Sequence, residues 1–252
     1  MIRASDITNE IRDFLVGQTI SIMGVAEARQ LPEVPEEFSP QFIMPDARSV
    51  ICYGVPIPRG ILYAEHYDLS LYWRYCTMLY KSLDMVSNSL SLFLEERGHI
   101  ASPLYGCYPM KIVKREYWGL VPLVYWAQAA GLGRLTKCGL LAHPEYGTRM
   151  IIGGVFTAAA LPPTETIERD FCPEDCFACI DQCPAHAIDR SGKVDHERCM
   201  RHANASPPLA FMVRDKTFRE QFSIETLVNT IAVDEHATYS CIECLKVCPL
   251  NR

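Results

Sequence analysis

Two cysteine runs near the end of the chain restrict what it can fold into more than any other feature: Cys172, Cys176, Cys179 and Cys183 followed by Pro184, then Cys241, Cys244 and Cys248 followed by Pro249. The first reads C-x3-C-x2-C-x3-C-P, one residue longer at its first gap than the bacterial ferredoxin run C-x2-C-x2-C-x3-C-P. Three thiolates at such spacing face one cubane cluster, and the Cys-Pro turn sends the fourth thiolate elsewhere. In two-cluster ferredoxins that fourth cysteine ligates the other cluster. The second run lacks its first cysteine, and Cys199, 16 positions after Cys183, is the nearest unassigned thiol. It brings the set to eight, the number that two [4Fe-4S] clusters require. The crossing rule predicts Cys172, Cys176, Cys179 and Cys248 around one cluster and Cys183, Cys199, Cys241 and Cys244 around the other. Zinc ribbons usually show two C-x2-C pairs without the trailing Cys-Pro, and disulfides need an oxidising compartment, so both readings rank below iron and sulfide.

The other four of the twelve cysteines, Cys52, Cys76, Cys107 and Cys138, fall outside this count. Cys52 in an apolar run and Cys76 on a helical stripe read as small core residues. Cys138 follows Lys137, which favours a thiolate, but a structural role ranks above a redox one.

The 252 residues, 49% hydrophobic and 21% charged, suit one sizeable core plus a small appendage. We place a domain boundary at Pro162-Pro163, giving domains 1–163 and 164–252. A net charge of -6 argues against a broad nucleic-acid surface, so nucleic acid is not an expected partner. Apolar runs such as 119–127 and 150–161 are too short to span a bilayer, which predicts no membrane span. The N-terminus shows neither an apolar signal core nor twin arginines, and a cytoplasmic location is expected.

Ile7, Ile11, Phe14 and Leu15 predict a short first helix closed by Gly17. Residues 19–26, 49–55 and 149–159 read as strands, the last with the glycine pair Gly153 and Gly154. A long helix is expected over 69–97, with a stripe of Leu71, Tyr75, Met78, Leu79, Leu83, Val86, Leu90 and Phe93. Residues 106–118 have no clean period and read as a loop or broken element that lines a site, and a helix follows over 123–131.

The segment from Ala129 to Arg149, AAGLGRLTKCGLLAHPEYGTR, followed by Gly154-Val-Phe-Thr157 and the cysteine runs, resembles the superfamily of epoxyqueuosine reductases and reductive dehalogenases. Pro45-Asp-Ala-Arg-Ser-Val-Ile51 is similar to the stretch that leads into an early core strand of that superfamily. The resemblance implies an α/β (α+β) fold, with a nitroreductase-like cobalamin-binding core followed by a ferredoxin-like two-cluster domain. It also implies a base-off corrinoid with no protein histidine on cobalt. Asp234-x-His236 is the nearest approach to the D-x-H-x-x-G motif of other cobalamin domains, and Tyr239 stands where that motif has glycine.

Under this resemblance the cofactor-binding residues are Gly131, Gly133, Lys137, Cys138, His143, Tyr146, Gly147 and Gly153. The glycines would let backbone approach the corrin, and Lys137 would pair with an amide, a carboxylate or the tail phosphate. Reductive cleavage needs a proton, and Tyr108, Tyr117 and Lys137 are the catalytic candidates, within a group that includes Tyr105 and Tyr125. The chain departs from epoxyqueuosine reductases in having no carboxylate in 117–123 and in ending three residues after Pro249, without a C-terminal helical-repeat domain. It departs from respiratory reductive dehalogenases in having Ala-Ala-Ala-Leu-Pro after Thr157. The expected function is a cobalamin-dependent iron-sulfur reductase of a small-molecule substrate, oxygen-sensitive and suited to anaerobic chemistry. It would be supplied by a low-potential electron donor such as ferredoxin or flavodoxin. The alternative is an electron-transfer or corrinoid-reducing partner protein with no substrate chemistry of its own.

Overall fold

Two strands that read as continuous apolar runs form the centre of the protein: β2 (Ser49–Pro56) and β8 (Met150–Thr157), both almost wholly buried. The structure, a computed structural model, describes residues 4–29, 31–66, 68–106, 110–113, 116–119, 121–205, 238–239 and 241–251. β2 and β8 pair antiparallel, with β1 (Ile22–Glu27) on the outer edge of β2 and β3 (Ala101–Leu104) on that of β8, in the order β1-β2-β8-β3. Strands covered on both faces lose the polar alternation of a half-exposed sheet, and this one is so covered.

One face carries Val25, Ile51, Tyr53, Ile151 and Val155 against α1 (Ala4–Gly17) and α4 (Asp68–Glu95). The opposite face carries Val50, Cys52, Ile152 and Phe156 against α5 (Leu123–Ala129). Two single-turn helices, α2 (Pro40–Ile43) and α3 (Arg59–Leu62), lie on the connections into and out of β2. The expected first helix, three core strands and α5 all form.

The stripe of α4 is turned in its first half. Leu83, Val86 and Leu90 are buried as expected, whereas Leu71 and Met78 face out and Trp73 and Cys76 face in. Burying the indole removes more apolar surface than burying the leucine, and it sets the rotation of that half. Residues 106–118 differ more, because they contain the hairpin β4 (Met110–Val113) and β5 (Glu116–Gly119), in register Lys111 to Trp118 and Ile112 to Tyr117. Its β-branched and aromatic residues favour a pleated pair even without strict alternation.

The glycine pair in β8 has two separate tasks. Gly153 lies opposite Tyr53, whose ring occupies the place of a side chain, and Gly154 makes room for Leu123 of α5. Two short strands, β6 (Arg134–Leu135) and β7 (Leu141–Ala142), frame a turn that touches the cysteine-bearing part through Lys137.

Beyond Pro163 the chain is stitched to the core. Thr164 exchanges hydrogen bonds with Val25, and Arg134 pairs with Asp170 at 3.2 Å. The first cysteine run builds the one-turn helix α6 (Ala178–Asp181), and the second builds α8 (Glu243–Lys246). In each, proline after the last cysteine stops the turn. Helix α7 (His196–Ala203) carries Cys199, and β9 (Asn204–Ala205) pairs with β10 (Thr238–Tyr239). Ile242 and Leu245 pack in the same cluster as α1 and α4, so the last cysteine run shares the main core.

Candidate functional site

The eight cysteines fall into two neighbourhoods. Cys172, Cys176, Cys179 and Cys248 line one small cavity together with Thr136 and Cys138. Cys183, Cys199 and Cys241 are mutual electrostatic neighbours, and Cys199 and Cys241 in turn neighbour Cys244. As free thiols Cys199, Cys241 and Cys248 are pushed upward chiefly by burial, Cys199 to about 11, and Cys179 and Cys244 chiefly by their proximity to Cys138. Iron, if held here, would relieve that arrangement by displacing the protons. The surroundings are apolar, with Ile180, Ile188, Phe177, Val194 and Val247 packed among the cysteines. The Ala187 amide donates to Cys183 Sγ at 3.3 Å, the type of N–H to sulfur bond that tunes a cluster.

Among the described residues no three His, Cys, Asp or Glu side chains converge as tightly as a single ion demands. A cluster that brings its own sulfides spaces its thiolates more widely than one ion does, and the donor set fits such a group.

Lys137 is held beside the first neighbourhood. Its ammonium donates to the carbonyls of Pro173, Glu174 and Cys176 at 2.8, 2.7 and 2.9 Å and lies 4.7 Å from the centre of the Phe177 ring. An ammonium has three donors, and all three are engaged in closing the loop between Cys172 and Cys176. This geometry is that of a loop clamp, and the expectation of a proton donor at Lys137 gives way to it.

A second cavity, of about 420 Å³, lies on the other side of the same chain segment. The core contributes Trp118, Leu123 and Tyr125; the ferredoxin-like part contributes Lys193, Val194 and His196; and Leu135, Thr136 and Gly139 form the wall between them. Trp118 stacks on Phe38 at 5.5 Å and on Tyr125 at 5.9 Å, which gives the cavity a flat aromatic side. Thr136 lines both cavities, so one residue separates the thiol neighbourhood from the aromatic one.

Of the expected tyrosines, Tyr105 and Tyr125 line this cavity. Tyr117 lies on β5 next to Trp118, while Tyr108, like Cys107, Asp234 and His236, lies outside the described residues. The four glycines expected to approach a corrin are filled by protein instead. A side chain at Gly131 would strike the carbonyl of Glu165, one at Gly133 that of Ala142, and one at Gly147 that of Leu250. At Gly153 it would meet the Tyr53 ring at 2.7 Å. His143 and Tyr146 stack 5.1 Å apart across a closed turn, in which His143 Nδ1 accepts from the Glu145 amide at 3.1 Å, and neither lines the cavity. Burial holds the imidazole of His143 below its ordinary range. Cys138 faces the thiols. Cys52, wholly buried, is pushed far up by desolvation and is an inert core residue.

The sequence reading missed Thr136, Gly139, Lys193, Val194 and His196. The first two lie inside the segment that carried the resemblance. The last three follow a polar turn in which Asp189 accepts from the Ser191 and Lys193 amides, and only the folding of the ferredoxin-like part onto the core makes that turn a wall.

No family model matches the chain. Over 262 aligned positions it is 22% identical to an epoxyqueuosine reductase of Bacillus subtilis, covering 98% of this chain and 58% of that protein. The chain therefore spans little more than half the length of that relative. Among solved structures, an epoxyqueuosine reductase with an epoxyqueuosine-modified tRNA-Tyr stem loop matches with a TM-score of 0.64 and 18% identity, over 99% of this chain and 66% of that one. A reductive dehalogenase whose structure suggests a mechanism for B12-dependent dehalogenation matches with a TM-score of 0.58 and 16% identity, over 77% and 28%.

The nearly full-length match to a protein solved with RNA overturns the expectation that nucleic acid is no partner. Net charge sums the whole surface and is blind to a local basic stretch. Arg190, Lys193 and Arg198 are exposed on the segment that walls the cavity, interspersed with Asp189, Asp195 and Glu197. No helix among the described residues is long and apolar enough to cross a membrane.

Proposed function

We propose that this chain, which belongs to the superfamily of epoxyqueuosine reductases and reductive dehalogenases, is a cobalamin-dependent iron-sulfur reductase that removes oxygen from a modified nucleoside carried on RNA. One observation carries the reading: Thr136 is common to the thiol cavity and the aromatic cavity, so electrons held at the first reach the second across a single residue.

The aromatic cavity suits a flat, largely apolar ligand. Its volume lies within the range of about 300–1,000 Å³ usual for such sites. Trp118, Leu123 and Tyr125 would hold one side of a base-off corrinoid and exclude water. When bound, the corrinoid supplies a low-valent cobalt centre for cleaving carbon-heteroatom bonds, and the clusters supply electrons one at a time from a donor such as ferredoxin or flavodoxin. Removing an epoxide oxygen as water takes two electrons and two protons. Tyr105 and Tyr125 on the cavity wall, with Tyr108 and Tyr117 in the adjoining segment, are the hydroxyls proposed to pass those protons. Lys193, exposed on the cavity wall, is the cation proposed to meet an RNA phosphate at the rim.

A small-molecule substrate is the second reading, favoured by the modest cavity and by the dehalogenase match. The test is anaerobic incubation of protein reconstituted with iron, sulfide and cob(II)alamin, under a strong reductant, with an epoxyqueuosine-modified stem loop or, separately, a halogenated phenol. Queuosine detected by mass spectrometry supports the first reading, and halide release supports the second. Binding of cobalamin without either product would leave a corrinoid-reducing electron-transfer protein.

A further inference from the structure

Among the exposed large apolar residues, four form a row. Leu71, Met78, Met85 and Leu92 recur at every seventh position of α4, and each is between 48% and 65% exposed. Apolar side chains scattered over a surface are ordinary, whereas a contiguous row marks a face that meets something. A seven-residue repeat returns to the same side of a helix with a drift of only about 20°, so the four side chains lie in one line over about 32 Å. The opposite side of α4 is committed to the core through Cys76, Leu83, Val86, Leu90 and Leu94.

A second row runs beside the first. Arg74, Lys81, Asn88 and Glu95 follow the four apolar residues by three positions each, and all are exposed. These are the a and d positions of a heptad, with an apolar a row and a d row that changes from basic to acidic along the helix. Among the described residues neither Arg74 nor Glu95 makes an ion pair.

The charges select what can cover this face. A parallel copy would set Arg74 against the partner's Arg74 and Glu95 against the partner's Glu95, which repels at both ends. An antiparallel copy, related by a two-fold axis between positions 84 and 85, sets Arg74 opposite the partner's Glu95 and Lys81 opposite the partner's Asn88. By symmetry each contact occurs twice. The same register brings Met85 within one residue of the partner's Met85 and Met78 within one residue of the partner's Leu92, an offset of about 1.5 Å. One register therefore satisfies both rows.

We propose that two copies of this chain associate through α4, antiparallel about a two-fold axis beside Met85, burying the row of Leu71, Met78, Met85 and Leu92 and pairing Arg74 with the partner's Glu95. Such an interface is isologous and closes at two copies. Methionine suits its centre, because an unbranched thioether adapts to a copy of itself. The polar d row makes the pair weaker than a fully apolar seam and fixes its direction. Neither cluster ligation nor the reaction enters into this association.

Sedimentation velocity and light scattering over a concentration series test it on anaerobically reconstituted protein. Wild type is compared with Met85→Glu, Arg74→Glu, Glu95→Arg and the double variant Arg74→Glu/Glu95→Arg. All three positions are exposed, and circular dichroism with iron content checks that each variant is folded. Wild type should form a dimer that dissociates on dilution, and Met85→Glu should be monomeric. Each single charge reversal should weaken the dimer by at least about tenfold, and the double variant should restore it. Wild-type protein that stays monomeric throughout the series overturns the proposal, and so does a dimer indifferent to Met85→Glu. A dimer weakened by both single reversals and not restored by the double variant overturns the antiparallel register.

Discussion

Asn251 and Thr148 form a buried clasp: the Asn251 carboxamide oxygen accepts from the Thr148 amide at 2.8 Å, and its nitrogen donates to Thr148 Oγ1 at 2.9 Å and to the Leu245 carbonyl at 2.7 Å. The clasp closes the turn after Cys248 onto the segment before β8. Asn251→Ala strands the Thr148 amide in a dry site. At roughly 1 kcal/mol for each net bond and more for an unpaired donor, the variant should lose about 2–4 kcal/mol. A lower urea midpoint with an unchanged m-value, together with poorer iron retention, is the expected result. Wild-type stability would mean that the clasp does not form.

Lys137→Met keeps the aliphatic stem and removes all three N–H donors from the Pro173–Cys176 loop. Because this loop joins Cys172 and Cys176, two of the ligands proposed for the first cluster, reconstituted iron should fall toward half of the wild-type value while the second cluster's resonance signal persists. Full iron content with turnover abolished at unchanged cobalamin affinity would return Lys137 to the role of proton donor.

The gathering of the cysteines into two groups was legible in the sequence because it follows from their spacing, and spacing survives in one dimension. The two neighbourhoods follow the crossing of Cys248 to the first run and Cys183 to the second. The sheet was legible for a similar reason, since strands covered on both faces must be apolar throughout. The aromatic cavity was not, because its walls come from three distant segments, and nothing in Gly192-Lys-Val194 marks it as a partner of Trp118. The glycines of 129–154 misled because a glycine records only that something comes close. Here the close atoms belong to Glu165, Ala142, Leu250 and Tyr53.

Gly153→Ala tests that last point. The new methyl would lie 2.7 Å from the Tyr53 ring and 3.3 Å from Leu83 Cβ. The ring has little room to yield, because its hydroxyl is fixed to Ser87 at 2.5 Å and the Leu83 carbonyl at 3.3 Å. Overpacking of this kind costs about 1–3 kcal/mol, to be read as a lower denaturation midpoint. Cobalamin affinity should not change; a loss of affinity at full stability would show that Gly153 faces the cofactor.

The last cysteine run is also pinned by Lys246, which reaches Asp68 at 2.6 Å at the start of α4. The hydrogen bond and charge of Lys246 hold the Asp68 carboxyl below its usual value, and Asp68 holds the Lys246 ammonium above its own. The carboxylate's contribution is therefore complete above the ordinary aspartate pKa near 3.9 and drains away as pH falls through the lowered folded value. Melting temperature measured against pH at low salt should fall more steeply in acid for wild type than for Asp68→Asn. Parallel acid limbs would show that the pair is not linked to folding.

Trp118 tests the cavity. Its ring is nearly buried between Phe38 and Tyr125 while bounding the aromatic cavity. Trp118→Leu keeps an apolar side chain and removes the flat face. Losing roughly 1.5–3 kcal/mol of apolar contact should weaken cob(II)alamin binding by about ten- to a hundredfold. Iron content should stay at the wild-type level, since none of the eight cysteines proposed as cluster ligands lines this cavity. The affinity is read from an absorption titration, with Tyr146→Phe, on the turn away from the cavity, as the neutral comparison. If Trp118→Leu binds cobalamin like wild type and Tyr146→Phe does not, the corrinoid sits against the 143–147 turn, and the aromatic cavity serves another ligand.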